Sequence, residues 1–361
     1  MPNEIEMPSP RRAKRGSSAP RMNTIELFAG SGGLALGLEM AGFSTKALVE
    51  RDEFNCETLM TNAGKYFPEA KIFRQDITEF DADTLLDKTG LTASEVALVA
   101  GGPPCQGFSI SKVPKGGRQL DDPRDNMVLH FARFIRDISP PAFLMENVPG
   151  MLSKAGGKIF KITLETFRNL GYQVNWNILN AADYGVPQIR KRLFILGSKG
   201  KQMEFPRPTH SRNYPNLSGL APYVTIKEAF APLRPEMPNQ TMPRHTAAKV
   251  ELLRGIKPGA AWQHYRFRDP WDRPSRTITG HCRDDWVHPE EPRTGTVREL
   301  ATIQSYPHDY EFCGPIMALN NVKFNFQYRQ VGNSVPVLLA KAIGEAIIRQ
   351  LQKTPIEVIA K

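Results

Sequence analysis

The chain has 361 residues, 40% of them hydrophobic and 23% charged, with a formal net charge of +10. This excludes disorder of the whole chain and supplies enough apolar material for one large domain plus a smaller one. No apolar run approaches membrane-spanning length, and Met1 to Arg21 is polar and basic where a secretory signal would be apolar, so a soluble, cytoplasmic protein with no membrane partner is expected.

Residues 1–22 carry Arg11-Arg12-Ala13-Lys14-Arg15 among Pro, Ser and Gly, a composition that supplies no core and reads as a disordered basic arm. From Asn23 the texture changes. Thr24 to Phe28, Lys46 to Val49, Val96 to Val99 and Ala142 to Met145 read as strands, each closing at a Gly, Pro or acidic residue. Between them, Leu34 to Met40, Val128 to Ile138 and Ile159 to Leu170 have helical spacing. The alternation predicts an α/β fold, a mostly parallel Rossmann-like sheet with helices on both faces and its ligand site beyond the carboxyl ends of the strands.

After Gly197 the pattern fails. Thirteen prolines between Lys199 and Arg293 exclude long helices, and residues 199–290 read as a smaller loop-rich domain with short strands, set inside the first. Residues 291–361 return to the first domain and end in a predicted helix, Ser334 to Leu351, whose apolar stripe should pack against the sheet. From Gln188 to Glu299 there are 20 Lys+Arg against 11 Asp+Glu, while the rest of the chain carries 27 against 26. Such a concentrated excess suits a polyanionic partner, and equally a solvated basic surface.

Two segments carry candidate chemistry. In Phe28-Ala29-Gly30-Ser31-Gly32-Gly33 a strand turns into a helix through glycines that let the backbone approach a ligand. Alone it is compatible with a tight packing turn. Glu50 follows the next strand about 20 residues on, where a carboxylate can accept from ribose hydroxyls, and Asp76 closes a third apolar segment, Lys71 to Phe73. Three such features at successive strand ends favour a cofactor containing adenosine.

The second segment, Gly101-Gly102-Pro103-Pro104-Cys105-Gln106-Gly107-Phe108-Ser109, follows a strand directly. Prolines stiffen it and present the thiol of Cys105 at a strand end, where a structural cysteine would more naturally sit within an apolar run. Cys56, Cys282 and Cys313 read as small buried apolar residues. No Cys-x-x-Cys pair or clustered ligand set suggests a metal.

With Glu146-Asn147-Val148, Gln188-Ile189-Arg190-Lys191-Arg192, Arg298-Glu299-Leu300 through Gln304, and Gln330-Val331-Gly332-Asn333-Ser334-Val335, the chain resembles the DNA cytosine-5 methyltransferases of bacterial restriction-modification systems, in order from Thr24 to Val337. The resemblance implies methyl transfer from S-adenosylmethionine to carbon 5 of cytosine in a short specific sequence of double-stranded DNA. It implies base flipping and a covalent adduct on Cys105, with S-adenosylhomocysteine as by-product and no metal. It assigns catalysis to Cys105, Glu146, Arg190 and Arg192, the two arginines pointing into the site from one strand face. Lys191 between them is expected to face solvent.

By the same resemblance the cofactor meets Phe28, Gly30, Ser31, Gly32, Gly33, Glu50, Asp76, Ile77, Pro104, Asn333 and Ser334, and DNA meets Gln106, Ser109, Ser111 and Arg192. Ser109 to Asn126 resembles the loop that closes over DNA. Residues 199–290 would be the target-recognition region, with Trp262, His264, Tyr265, Arg266, Arg268 and Arg283 as candidates for base or phosphate contact. A monomer acting at the nucleoid, with a cognate restriction endonuclease as candidate functional partner, is expected. Three rival readings remain: a DNA-binding regulator on an inactive scaffold, which loss of Cys105, Glu146 or the glycine turn would favour; an RNA cytosine methyltransferase; and a dehydrogenase, which leaves Cys105 and Arg190/Arg192 unexplained.

Overall fold

The computed structural model describes residues 21–104, 127–212, 219–262, 266–317 and 326–353. The expectations for the basic arm through Pro20, for Cys105, Gln106, Ser109 and Ser111, for the loop up to Asn126, and for His264 and Tyr265 lie outside the described residues.

The alternating pattern is realised as β1 (Asn23–Leu27), α1 (Gly33–Ala41), β2 (Ser44–Glu50), α2 (Glu53–Tyr66), β3 (Lys71–Arg74), α3 (Ala82–Thr89), β4 (Val96–Gly101), α4 (Met127–Ile138), β5 (Ala142–Asn147) and α5 (Lys158–Asn169). Two further strands, β6 (Gln173–Asn180) and β7 (Lys191–Ser198), complete a seven-stranded sheet in the order β3-β2-β1-β4-β5-β7-β6. Six strands point the same way, with β1 to β5 paired parallel, and β7 runs antiparallel between β5 and β6. Chain order reverses between β1 and β4, and ligand sites in such sheets lie outside the carboxyl ends of the strands at that point.

Side chains alternate across each strand, and the core divides accordingly. On β5, Phe143 and Met145 pack with Phe131, Ile135 and Phe167 of α4 and α5. Ala142 and Leu144 face the opposite way, joining Leu34 and Leu38 of α1 and Leu339, Ile343 and Ile347 of α11 (Val337–Leu351). The C-terminal helix therefore packs back as its apolar stripe predicts, starting at Val337, just beyond Pro336. The stretch Gln327–Leu351 is, contrary to the sequence reading, long and apolar enough to cross a membrane by composition. It is broken into α10 (Gln327–Asn333) and α11, and most of it is buried within the protein.

Between Ser198 and Thr296 the proline-rich chain forms short pieces only: β8 (His210–Ser211), β9 (Ala221–Pro222), α6 (Ile226–Phe230), α7 (Ala247–Arg254), β10 (Ala261–Trp262), β11 (Arg266–Arg268), α8 (Cys282–Asp285) and β12 (Trp286–Val287). Ile226, Ile278, Cys282 and Trp286 of this region share a cluster with Leu36 and Leu59 and with Val297, Leu300 and Ile303 of α9 (Val297–Ile303). The inserted region is thus anchored to the sheet domain through common apolar packing.

Candidate active site

The glycine turn sits at the carboxyl end of β1. Phe28, Gly30 and Gly32 all have positive φ (58°, 54° and 82°), so the chain reverses tightly into α1. Its amide at Gly30 donates to Glu50 Oε2 (2.8 Å), and Glu50 Oε1 accepts from the amides of Arg51 (2.9 Å) and Asp52 (2.8 Å). Glu50, read as a ribose acceptor, is thus first the carboxylate that ties the end of β2 to the turn. Burial raises its pKa despite these bonds.

Ser31 is held from the far end of the chain. Its Oγ lies 3.1 Å from Tyr306 Oη and donates to the Gln330 carbonyl (3.3 Å), while Tyr310 Oη donates to the Ser31 carbonyl (2.7 Å). Tyr306 also hydrogen-bonds Ser334 Oγ. At Gly33 any side chain is excluded: a Cβ would lie 2.2 Å from Ser334 Oγ and 2.4 Å from the Val335 carbonyl. Gln330, Asn333, Ser334 and Val335 form one wall of a cavity whose other walls are Glu26, Phe28, Gly30, Ser31, Asn55, Gly102 and Glu146, enclosing about 470 Å³ of non-protein space including its mouth.

Two residues lining this cavity bear on what it can hold. Glu26 Oε2 and Asn55 Oδ1 are buried without a hydrogen-bond partner among the described residues, on residues 2% and 4% exposed. Buried acceptors left unpaired are costly, so a ligand bringing hydrogen-bond donors fits here. Neither residue stood out in the sequence, where Glu26 is one acidic residue in a strand and Asn55 one polar residue on a helix. Asp76 and Ile77 sit at the next strand end, off the cavity wall. Asp76 Oδ1 accepts from Thr78 N (2.9 Å) and Oγ1 (2.8 Å), which hold its carboxyl below the usual range, and the Ile77 carbonyl accepts from Arg133 (2.6 Å).

Glu146 is the last residue but one of β5 and borders the same cavity. Its Oε1 lies 3.2 Å from Arg192 Nε, with both side chains about 15% exposed. The pairing of β5 with antiparallel β7 delivers Arg192 to that carboxylate, since Glu146 stands opposite Phe194. Burial raises the Glu146 pKa, with Arg192 and then Arg190 pulling it back only in part. Lys191 is exposed, as expected.

Arg190 departs from the expectation that it points into the site beside Arg192. It precedes β7, so strand alternation does not govern it. Its guanidinium is 1% exposed and donates to the carbonyls of Ile278 (2.6 Å), Gly332 (2.9 Å) and Ser334 (3.1 Å). Arg268, a candidate for base or phosphate contact, is likewise turned inward. It is 4% exposed and bound to the carbonyls of His288, Glu291 and Leu253. Arg266 and Arg283 lie beside Asp284.

Pro104, exposed, is the last described residue before Cys105. Pro103 is buried, and its carbonyl accepts from Asn147 Nδ2 (3.0 Å). Among the described cysteines Cys56 and Cys282 are buried and Cys313 is half-buried. Burial raises all three thiols, Cys56 to about 12, so none is set up as a thiolate nucleophile.

A family model of C-5 cytosine-specific DNA methylases matches residues 22–349. The chain belongs to this family. It is a DNA cytosine-5 methyltransferase, and the sequence resemblance is borne out over nearly its whole length. The methylase is 35% identical to the Type II methyltransferase M1.HphI of Haemophilus parahaemolyticus over 339 residues, covering 90% of this chain and 86% of the relative. It is 33% identical to the Type II methyltransferase M.Sau96I of Staphylococcus aureus, covering 92% and 76%. Its fold is shared with a prophage-encoded E. coli protein of known structure at TM-score 0.72 and 24% identity, covering 92% of the methylase and all of that chain.

Proposed function

We propose that this methylase takes its methyl group from S-adenosylmethionine and works on a cytosine flipped out of duplex DNA, with Cys105 as covalent nucleophile. The carrying observation is the Glu146–Arg192 ion pair at the carboxyl end of the sheet, bordering the cavity that the glycine turn lines. The cofactor supplies an electrophilic methyl on sulfonium. Gly30, Ser31, Gly33, Asn333 and Ser334 would hold it, with Glu26 and Asn55 offering unpaired acceptors to its donors.

The chain's own residues then divide the work. Cytosine carbon 5 is too weak a nucleophile until sulfur adds to carbon 6. Glu146, whose pKa burial raises, hydrogen-bonds ring nitrogen 3 and, by giving it a proton, makes the ring an electron sink for the incoming Cys105 thiolate. Arg192 fixes the Glu146 carboxyl and donates to the carbonyl oxygen of the base. Once carbon 5 had accepted the methyl that the cofactor would supply, loss of the carbon 5 proton to a base would leave the electron pair that expels the Cys105 thiolate, and ring nitrogen 3 would return its proton to Glu146. Flipping costs roughly a few kcal/mol, offset by contacts from the basic region between Gln188 and Glu299. In this reading residues 199–290 recognise the target, and a restriction endonuclease is the functional partner, as the Type II names of the relatives suggest.

The test combines two measurements. Bisulfite sequencing of DNA from a host expressing the chain should reveal methylated cytosines in one short sequence. A duplex carrying 5-fluorocytosine at that position should form an adduct that survives denaturation with the wild type and not with Cys105→Ala. A wild-type protein that methylates DNA yet leaves no adduct would remove Cys105 from the mechanism.

A further inference from the structure

Arg190 is a buried cation that forms no ion pair with a carboxylate among the described residues, and its three acceptors come from two distant parts of the chain. Ile278 belongs to the inserted region. Gly332 and Ser334 belong to the cavity wall. Burying a charge on main-chain carbonyls alone is expensive compared with an apolar side chain of similar volume, so stability by itself does not account for it.

The surroundings extend the same connection. The segment 275–278 is zipped to 187–190: Ile189 N donates to the Ser275 carbonyl (2.7 Å), Ser275 N to the Pro187 carbonyl (2.9 Å), and Thr277 Oγ1 to the Ile189 carbonyl (2.8 Å). Gln188 Oε1 accepts from Ile278 N (3.0 Å), and its Nε2 donates to Gln304 Oε1 (2.9 Å). Gln304 Nε2 in turn donates to the carbonyls of Val331 (2.9 Å) and Ser334 (3.2 Å). Contact is close enough that a Cβ on Gly332 would lie 1.9 Å from the Thr279 carbonyl. Movement of Ile278 therefore shifts the carbonyls of Gly332 and Ser334 through one rigid, planar guanidinium.

We infer that Arg190 is a positioning residue that couples DNA engagement by the inserted region to cofactor occupancy of the cavity, each favouring the other. This rests on the reading that residues 199–290 bind DNA and that the cavity takes S-adenosylmethionine. Coupling of two binding sites is reciprocal, so it is measurable from either side.

The experiment measures the Kd of S-adenosylhomocysteine with and without saturating duplex bearing the site found by bisulfite sequencing, and the Kd of the duplex with and without S-adenosylhomocysteine. Wild type should show the same coupling factor both ways, about fivefold or more. Arg190→Lys keeps charge without the bridging fork and should bring the factor to within about twofold of unity, as should Arg190→Gln. If these variants fail to fold by thermal melting, Gln188→Leu, which cuts the link between Ile278 and Gln304 and leaves Arg190 in place, should at least halve the factor. An unchanged factor in folded variants overturns the inference, as does a wild type that binds both ligands without coupling. A wild type that binds neither ligand sinks the functional reading on which it rests.

Discussion

Asn147 Nδ2 donates to the carbonyl of Pro103 at 3.0 Å, joining the residue after Glu146 to the buried proline two positions before Cys105. Asn147 is itself 5% exposed, and its Oδ1 accepts from Val148 N (2.9 Å), which orients the amide so that its nitrogen faces Pro103. The strand end that carries Glu146 and the segment that leads to Cys105 are thereby tied together.

Asn147→Ala and Asn147→Asp should both lower single-turnover methyl transfer by about tenfold or more, because either leaves the Pro103 carbonyl without its donor, at a cost of roughly 1–3 kcal/mol. The aspartate variant preserves shape and replaces the donor with a carboxylate oxygen that repels the Pro103 carbonyl. Full activity in Asn147→Asp would reject the positioning role.

Arg192→Ala should reduce kcat by about 100-fold. The pH profile carries the sign. Arg192 holds the Glu146 pKa down against burial, so its loss lets Glu146 keep its proton to higher pH. The alkaline fall in rate should therefore move upward in pH in the variant. A shift downward, or none, would show that Glu146 protonation does not limit the rate.

Gly33→Ala should damage the cavity wall, since the added carbon meets the Val335 carbonyl at 2.4 Å as well as Ser334 Oγ. A backbone atom cannot swing aside, and overpacking of this kind costs roughly 1–3 kcal/mol. We expect a lower Tm and at least tenfold weaker S-adenosylhomocysteine binding by calorimetry. Wild-type affinity in this variant would mean that the wall lies away from the ligand.

Glu26→Gln should stabilise the ligand-free protein increasingly as pH rises. Burial raises the Glu26 pKa well above its ordinary value, so the folded state binds this proton more tightly than the unfolded state. That stabilising contribution is complete below the unfolded glutamate pKa of about 4.3 and is lost progressively as pH rises toward the folded value, at about 1.4 kcal/mol per unit. The Tm difference between variant and wild type should be small near pH 5 and grow toward pH 8. A difference independent of pH would show that Glu26 does not titrate differently on folding.

Much of the fold was legible because it is local. The runs Thr24 to Phe28, Lys46 to Val49, Val96 to Val99 and Ala142 to Met145 became β1, β2, β4 and β5, and the three helical patterns between them became α1, α4 and α5. The strand β6 escaped notice because it is an edge strand with exposed or half-buried Gln173, Asn175 and Asn177 and an exposed Trp176, so it lacks a clean apolar alternation. Helix α2 escaped for a similar reason: it buries Asn55, Thr58 and Asn62 beside Cys56 and Leu59, which blurs its apolar stripe.

By itself the sequence determined the family to which the chain belongs, because a thiol after paired prolines, a carboxylate near a strand end and a glycine turn are each defined by neighbours in the chain. Only the tertiary structure decided what Arg190, Arg268, Glu26 and Asn55 do. Two of these are arginines whose partners are main-chain carbonyls, which every residue possesses and no sequence pattern marks. The other two matter through one oxygen each that lacks a partner among the described residues, which depends on everything packed around it.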